Sequence, residues 1–212
     1  MNFISVRTKT MLKASDCNFM FCLPLNREAF EADIQNPAKH FVSVHLPENK
    51  KSEYENGTLW EAYKEEVVQP YLQFKKQFSA YGFVFNENVT FNQFASLIHE
   101  HQVNIVFSHC RVGDQDIEAV EFYDKLVGIC SFLEAIPVHY DKTLDLSVCK
   151  PANLAQALKQ QRKLMVVKSS SKSIGFIFWI YVYSVIFQII HTKKIDYYST
   201  AIEKAIFKIN EK

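Results

Sequence analysis

The sequence predicts an α/β fold in which a mostly parallel central sheet is flanked by helices on both faces. Three observations lead there. Short apolar runs of strand length, among them Phe41–Leu46, Gly82–Phe85 and Val103–Phe107, are separated by longer stretches of helical periodicity. That order of strand, helix, strand, helix, strand is the pattern of right-handed parallel crossovers. Finally, 212 residues with 48% hydrophobic and 14% aromatic content suffice for one sizeable core and argue against disorder.

Taken in order, Phe19 to Leu25 is a strand candidate, and Asn26 to Gln35 a short helix capped by Asn26 and stopped before Pro37. Residues 1–37 are read as an N-terminal extension packing on a domain formed by 38–212. Phe41–Leu46 is closed by Pro47, and Glu48 to Gly57 is a charged loop rich in turn formers. Thr58 and Glu61 have capping-box spacing at the head of a long helix reaching about Phe78. Its apolar stripe runs Leu59, Tyr63, Val67, Tyr71, Phe74, Phe78, and Pro70 predicts a kink or break within it.

After the strand Gly82–Phe85, Thr90 caps a helix to about Glu100, and Val103–His109 follows directly. Residues 111–116 read as a polar loop containing Gly113. Glu118 to Phe122 and Leu126 to Ile129 form a hairpin around Tyr123-Asp124-Lys125, and Ser131 caps a short helix that ends before Pro137. The run Leu144–Cys149 leads into a helix from about Pro151 to Gln161, with proline at the first turn, where it is tolerated. A strand over Lys163–Lys168, an apolar helix 174–190 and an amphipathic helix 196–210 complete the chain.

A net charge of +1 gives no electrostatic reason to expect nucleic acid. The one modest basic cluster, Lys159, Arg162, Lys163, Lys168 and Lys172, reads as a solvated face. Five cysteines without regular spacing, Cys17, Cys22, Cys110, Cys130 and Cys149, read as reduced thiols in the cytoplasm. The N-terminus has no signal-peptide pattern. Segment 174–190 is at the lower limit for crossing a bilayer and contains Ser184 and Gln188. It reads as a central helix packed on both sides, without membrane contact. No zinc-type cysteine pair, phosphate-binding glycine loop or cofactor motif is present, and His99 and His101 do not share a helix face that could hold an ion.

Two strand candidates end on residues able to do chemistry: His109 after Val103–Ser108, and Cys149 after Leu144–Val148. In a parallel sheet such ends gather on one edge, where ligands and catalytic groups collect. A thiol with an imidazole base is sufficient machinery for acyl transfer. The helix that starts near Pro151 would stabilise a thiolate and then an oxyanion. Cys110, next to His109, points to the opposite face of the strand and reads as packing, as does Cys130. The alternative is that Cys149 is a small buried hydrophobe and His109 a satisfied loop residue.

The order of elements, with Ile105–His109, the hairpin Ile117–Ile129, Leu144–Cys149, the strand Leu164–Val167 and the closing Tyr198–Ala205, is similar to the caspase-like (clan CD) cysteine peptidases, including the bacterial CHAT-type group. The resemblance covers roughly residues 38–210. It implies a caspase-hemoglobinase-like sandwich and a thiol protease, a hydrolase needing no cofactor and no metal. His109 and Cys149 would be the catalytic dyad, with the backbone amides of Cys110 and Cys149 on the oxyanion. Asp145 and Glu118 are the candidates for the specificity pocket. It further implies a protein substrate, an activating protein partner, and a setting in bacterial defence or cell death. Two departures stand out: Cys110 fills the place of a glycine common in the family, and Lys150-Pro151 follow the cysteine. They motivate the alternative of a catalytically weak or inactive module acting as a protein-binding scaffold.

Overall fold

A computed structural model describes residues 11–36, 56–112, 117–148, 151–162, 165–169 and 175–210. Five parallel strands form the central sheet: β1 (Cys17–Phe21), β2 (Val84–Glu87), β3 (Val103–Phe107), β7 (Thr143–Ser147) and β8 (Val166–Ser169), in spatial order β2-β1-β3-β7-β8. Between β3 and β7 the chain builds a small antiparallel sheet of β4 (Cys110–Val112), β5 (Ile117–Glu121) and β6 (Leu126–Gly128).

The central strands are buried on both faces, as near-continuous apolar runs in a parallel sheet require. On one face Phe19, Phe21, Ile105 and Phe107 pack against helices α1 (Arg27–Gln35), α2 (Leu59–Tyr63), α3 (Gln69–Ser79), α7 (Phe176–Thr192) and α8 (Tyr198–Asn210). On the other, Met20, Val106, Leu144, Leu146 and Val167 pack against α4 (Phe91–Leu97), α5 (Ile129–Glu134) and α6 (Ala152–Gln161). The architecture is therefore an α/β sandwich with helices on both faces. The first face is filled with aromatic rings. Phe187 stacks on Phe83 at 4.0 Å between centroids and meets Phe74 at 5.2 Å and Phe78 at 5.5 Å.

Buried amides cross the sheet. Asn18 donates to Asn104 at 3.3 Å, Asn86 donates to Asn18 at 2.7 Å, and Asn104 also donates to the Ile98 carbonyl at 3.1 Å and to Tyr140 at 2.9 Å. These bonds satisfy side chains that would otherwise be costly in a dry layer.

Several local expectations change form. Residues 1–37 were expected to stand outside the sheet-forming unit, yet β1 lies between β2 and β3 and is paired to both, so that unit begins before residue 38. The strand expected at Phe41–Leu46 lies outside the described residues. Thr58 does not cap α2: its backbone is already helical and its side chain makes no capping bond. Ahead of Pro70 the helix neither stops nor breaks. It widens into a π-helical turn, Lys64–Val68, in which the Gln69 N–H donates to the Lys64 carbonyl. The wider turn accommodates the proline ring and its missing donor. Asn26 and Thr90 do cap their helices, accepting from Ala29 at 2.9 Å and Gln93 at 3.2 Å.

Helix α5 starts at Ile129 with Gly128 as its cap, which places Ser131 inside the first turn. Residues 111 and 112, expected as the start of a loop, belong to β4. Arg162 is not on a solvated face. It is buried, with Nε on the Ile136 carbonyl and Nη2 on that of Leu133, both at 2.7 Å, closing the end of α5. Among the described residues, helix α7 is covered mainly on one side. Ile180, Tyr183, Ile186 and Phe187 are buried, whereas Ile177 is 55% and Phe178 46% exposed. Among the described residues no helix is long and apolar enough to cross a membrane.

Candidate active site

The sheet's order reverses direction between β1 and β3, the position at which open parallel sheets hold ligands outside their carboxyl ends. β1, β3 and β7 end there together. Phe21 is in register with Phe107, and Phe107 with Ser147. The ladder continues past the strands: Cys22 N–H donates to Phe107 at 3.1 Å and Ser108 N–H to Ser147 at 3.2 Å. Two residues beyond Phe107 is His109, half-buried at this rim.

His109 is fixed from two directions. Its carbonyl accepts from the Glu121 N–H at 3.0 Å, which ties it to β5. Its ring meets Phe176, the first residue of α7, edge to face with 4.4 Å between centroids. The Ser108 hydroxyl, next in the chain, donates to the Glu121 carbonyl. Cys110 pairs with Val120 across β4 and β5, and its side chain is buried in the opposite core from the residues that surround His109. Because Glu121 bonds to the carbonyl of His109, the Cys110 N–H points away from β5. Glu121 is itself buried at the rim, and it and Asp33 hold the Tyr63 phenol well above its ordinary range, after the larger effect of burial.

Beside β3, β7 carries the chain to Val148. Cys149 and Lys150 lie outside the described residues, as does the loop at Gly113. The chain is described again at Pro151, the cap of the ten-residue helix α6, whose carbonyl accepts from Ala155 at 2.8 Å. The amino end of α6 follows the carboxyl end of β7 closely in the chain.

The structure does not bring Asp145 to this rim. It is in register with Ile105, four residues before His109, or about 13 Å along the strand. There it is buried, accepts from the Tyr198 hydroxyl at 2.7 Å, and has its carboxyl pushed up from 3.8 to about 6 by desolvation, against the opposing bonds of Tyr198 and Tyr183 and the charge of Lys168. Glu118 lies in β5. Cys130, expected in the core, is exposed at the start of α5, whereas Cys17, Cys22 and Cys110 are buried. Among the described residues no group of three or more metal-ligating side chains comes together.

Phe176 and Glu121 were not singled out in the sequence. Phe176 reads there only as part of an apolar run, and its contact with His109 is made by tertiary packing alone. Glu121 has a local signal, a charged residue inside an apolar hairpin strand, and the strand's inward face explains its burial. The chain matches no protein-family model, and no curated protein is significantly similar to it.

Proposed function

We propose that the chain is a caspase-like cysteine endopeptidase of CHAT type, with His109 as base and Cys149 as nucleophile. The observation that carries this reading is the adjacency and register of β3 and β7, with a histidine just past one carboxyl end and a cysteine coded just past the other. Side-chain parity supports it. Ile105, Phe107 and Asp145 face the helical layer that contains α7, and His109, whose ring meets Phe176, lies on the same side. The sheet order is shared by doubly wound nucleotide-binding folds. The hairpin sheet directly after the histidine and the absence of a phosphate-binding glycine loop favour the caspase-like sandwich.

In this mechanism His109 accepts the Cys149 thiol proton as sulfur attacks the scissile carbonyl carbon. The oxyanion forms against backbone N–H groups, that of Cys110 and that of Cys149. His109 then delivers the proton to the departing amine, leaving a thioester on Cys149. Water, losing a proton to His109, attacks the thioester; the acid leaves and the thiol is restored. By the family resemblance the substrate is a protein, and a protein partner switches the enzyme on. An inactive, partner-binding module is the second reading, favoured by Cys110 and Lys150-Pro151 at positions where the family supplies oxyanion donors.

The test is thiol reactivity in a Cys130→Ser background, since Cys130 is exposed and would react on its own. Iodoacetamide at neutral pH should modify Cys149 selectively, and His109→Ala should slow this at least about tenfold. Cleavage of a mixed peptide library should be lost in Cys149→Ala and retained in Cys110→Ala. Cleavage that survives Cys149→Ala overturns the dyad, and a Cys149 as inert as the buried thiols selects the scaffold.

A further inference from the structure

A second polar constellation lies away from the rim, on the open side of β7 and β8. A cavity of about 420 Å³ is walled by α7 and α8 and floored by the sheet, within the usual size range of small-molecule sites. Its walls are apolar, with Trp179 and Val182 from α7 and Ile206 from α8. Its floor is charged. Asp145 and Lys168 face each other in register across the neighbouring strands, and both line the cavity. Adjacent strands are about 4.8 Å apart, yet no ion pair joins these two residues. The Tyr183 hydroxyl is fully buried beside Asp145 and Ser147.

Each simpler ligand leaves part of this floor unanswered. A purely apolar molecule would cover a carboxylate and an ammonium without replacing their water, which is costly. A monocation meets Lys168, and a monoanion meets Asp145. A head carrying both charges a few ångströms apart satisfies both. We propose that this cavity binds a small apolar α-amino acid as its zwitterion. The ammonium lies on the Asp145 carboxylate and the Tyr183 hydroxyl, the carboxylate on Lys168, and the side chain between α7 and α8. The site is independent of the peptidase reading, because Asp145 is separated from His109 by the length of a strand.

Trp179 lines the cavity and the chain has only two tryptophans, so Trp60→Phe leaves one reporter at the site. The probes are L-phenylalanine, phenethylamine and 3-phenylpropionate, which share a body and differ in head charge. L-phenylalanine should change Trp179 emission saturably, and each single-charge analogue should bind at least about tenfold more weakly. Asp145→Asn and Lys168→Met should each weaken L-phenylalanine at least about tenfold, and Lys168→Met should bring phenethylamine level with it. Calorimetry on the unsubstituted chain reads the same affinities without the reporter substitution. The assignment is overturned if no probe binds saturably, if either single-charge analogue matches L-phenylalanine on the unsubstituted chain, or if binding survives Lys168→Met. Should Asp145→Asn not fold, the half-exposed Lys168 position decides alone.

Discussion

Replacing Asp145 by asparagine should stabilise the protein at neutral pH, by an amount the carboxyl's own displacement sets. Burial raises the Asp145 pKa from 3.8 to about 6, a difference of roughly 2 units or about 3 kcal/mol. Because the shift is upward, the folded state holds this proton more tightly than the unfolded chain. The stability that proton contributes is fully present below about pH 4 and is lost as pH rises through 6. Asparagine keeps the shape and an oxygen for the Tyr198 hydroxyl, which donates at 2.7 Å, but it carries no charge to desolvate. The measurement is urea unfolding of both proteins from pH 4 to 8. The difference curve should rise through the window between pH 4 and 6.5 and level off near 3 kcal/mol in favour of asparagine. A flat difference, or a variant that loses ground as pH rises, would refute the desolvation argument. Tyr198→Phe should act in the opposite sense at pH 7.5, since it removes a bond to the charged form, and should cost about 1–3 kcal/mol in the same assay.

Arg162→Met should destabilise by about 2–4 kcal/mol in urea, because it removes the guanidinium donor from the buried Ile136 carbonyl and one of the donors at Leu133; a surface-like change below about 0.5 kcal/mol would contradict the cap. Phe187→Ala empties the centre of the aromatic layer and should cost about 3–5 kcal/mol, checked by the same unfolding curves. Phe176→Ala removes the ring against His109 and should lower peptide cleavage about tenfold and shift its pH profile, whereas alanine at the exposed Phe178 should leave the rate unchanged. Cys130→Ser should remove one alkylation event, followed by mass spectrometry, while leaving the Cys149 modification and cleavage intact.

The elements legible in the sequence are those whose signal is local. Val103–Phe107 and Leu144–Val148 are apolar runs bounded by polar residues, and Asn26 and Thr90 carry their own capping chemistry. What was missed is non-local. The strand candidate Phe19 to Leu25 left out the start of β1, where Asn18 is a polar residue that becomes acceptable only when Asn86 and Asn104 arrive from other strands. Arg162 is indistinguishable by composition from its lysine neighbours until α5 ends above it. β4 is three residues long with Arg111 at its centre, too short to carry a strand pattern of its own, and it is strand only because β5 folds back onto it. Pro70 signals disturbance correctly, but sequence does not say whether a helix breaks or widens. At the candidate site, His109 and its position at the sheet edge were readable, whereas the Phe176 contact depends on how a distant helix docks.

The amide bridge through Asn86, Asn18 and Asn104 also works as an alignment key for the sheet. Fat, interchangeable phenylalanines give β1 little reason to prefer one offset against β2 and β3, since a slip of two residues returns an aromatic to the same layer. The same slip would strand the buried amides of Asn18 and Asn104 in a dry interior, at about 1–3 kcal/mol each. Greasy side chains thus hold the strands together, and a few hydrophilic ones decide where along each other they stop, which sets the height at which His109 emerges.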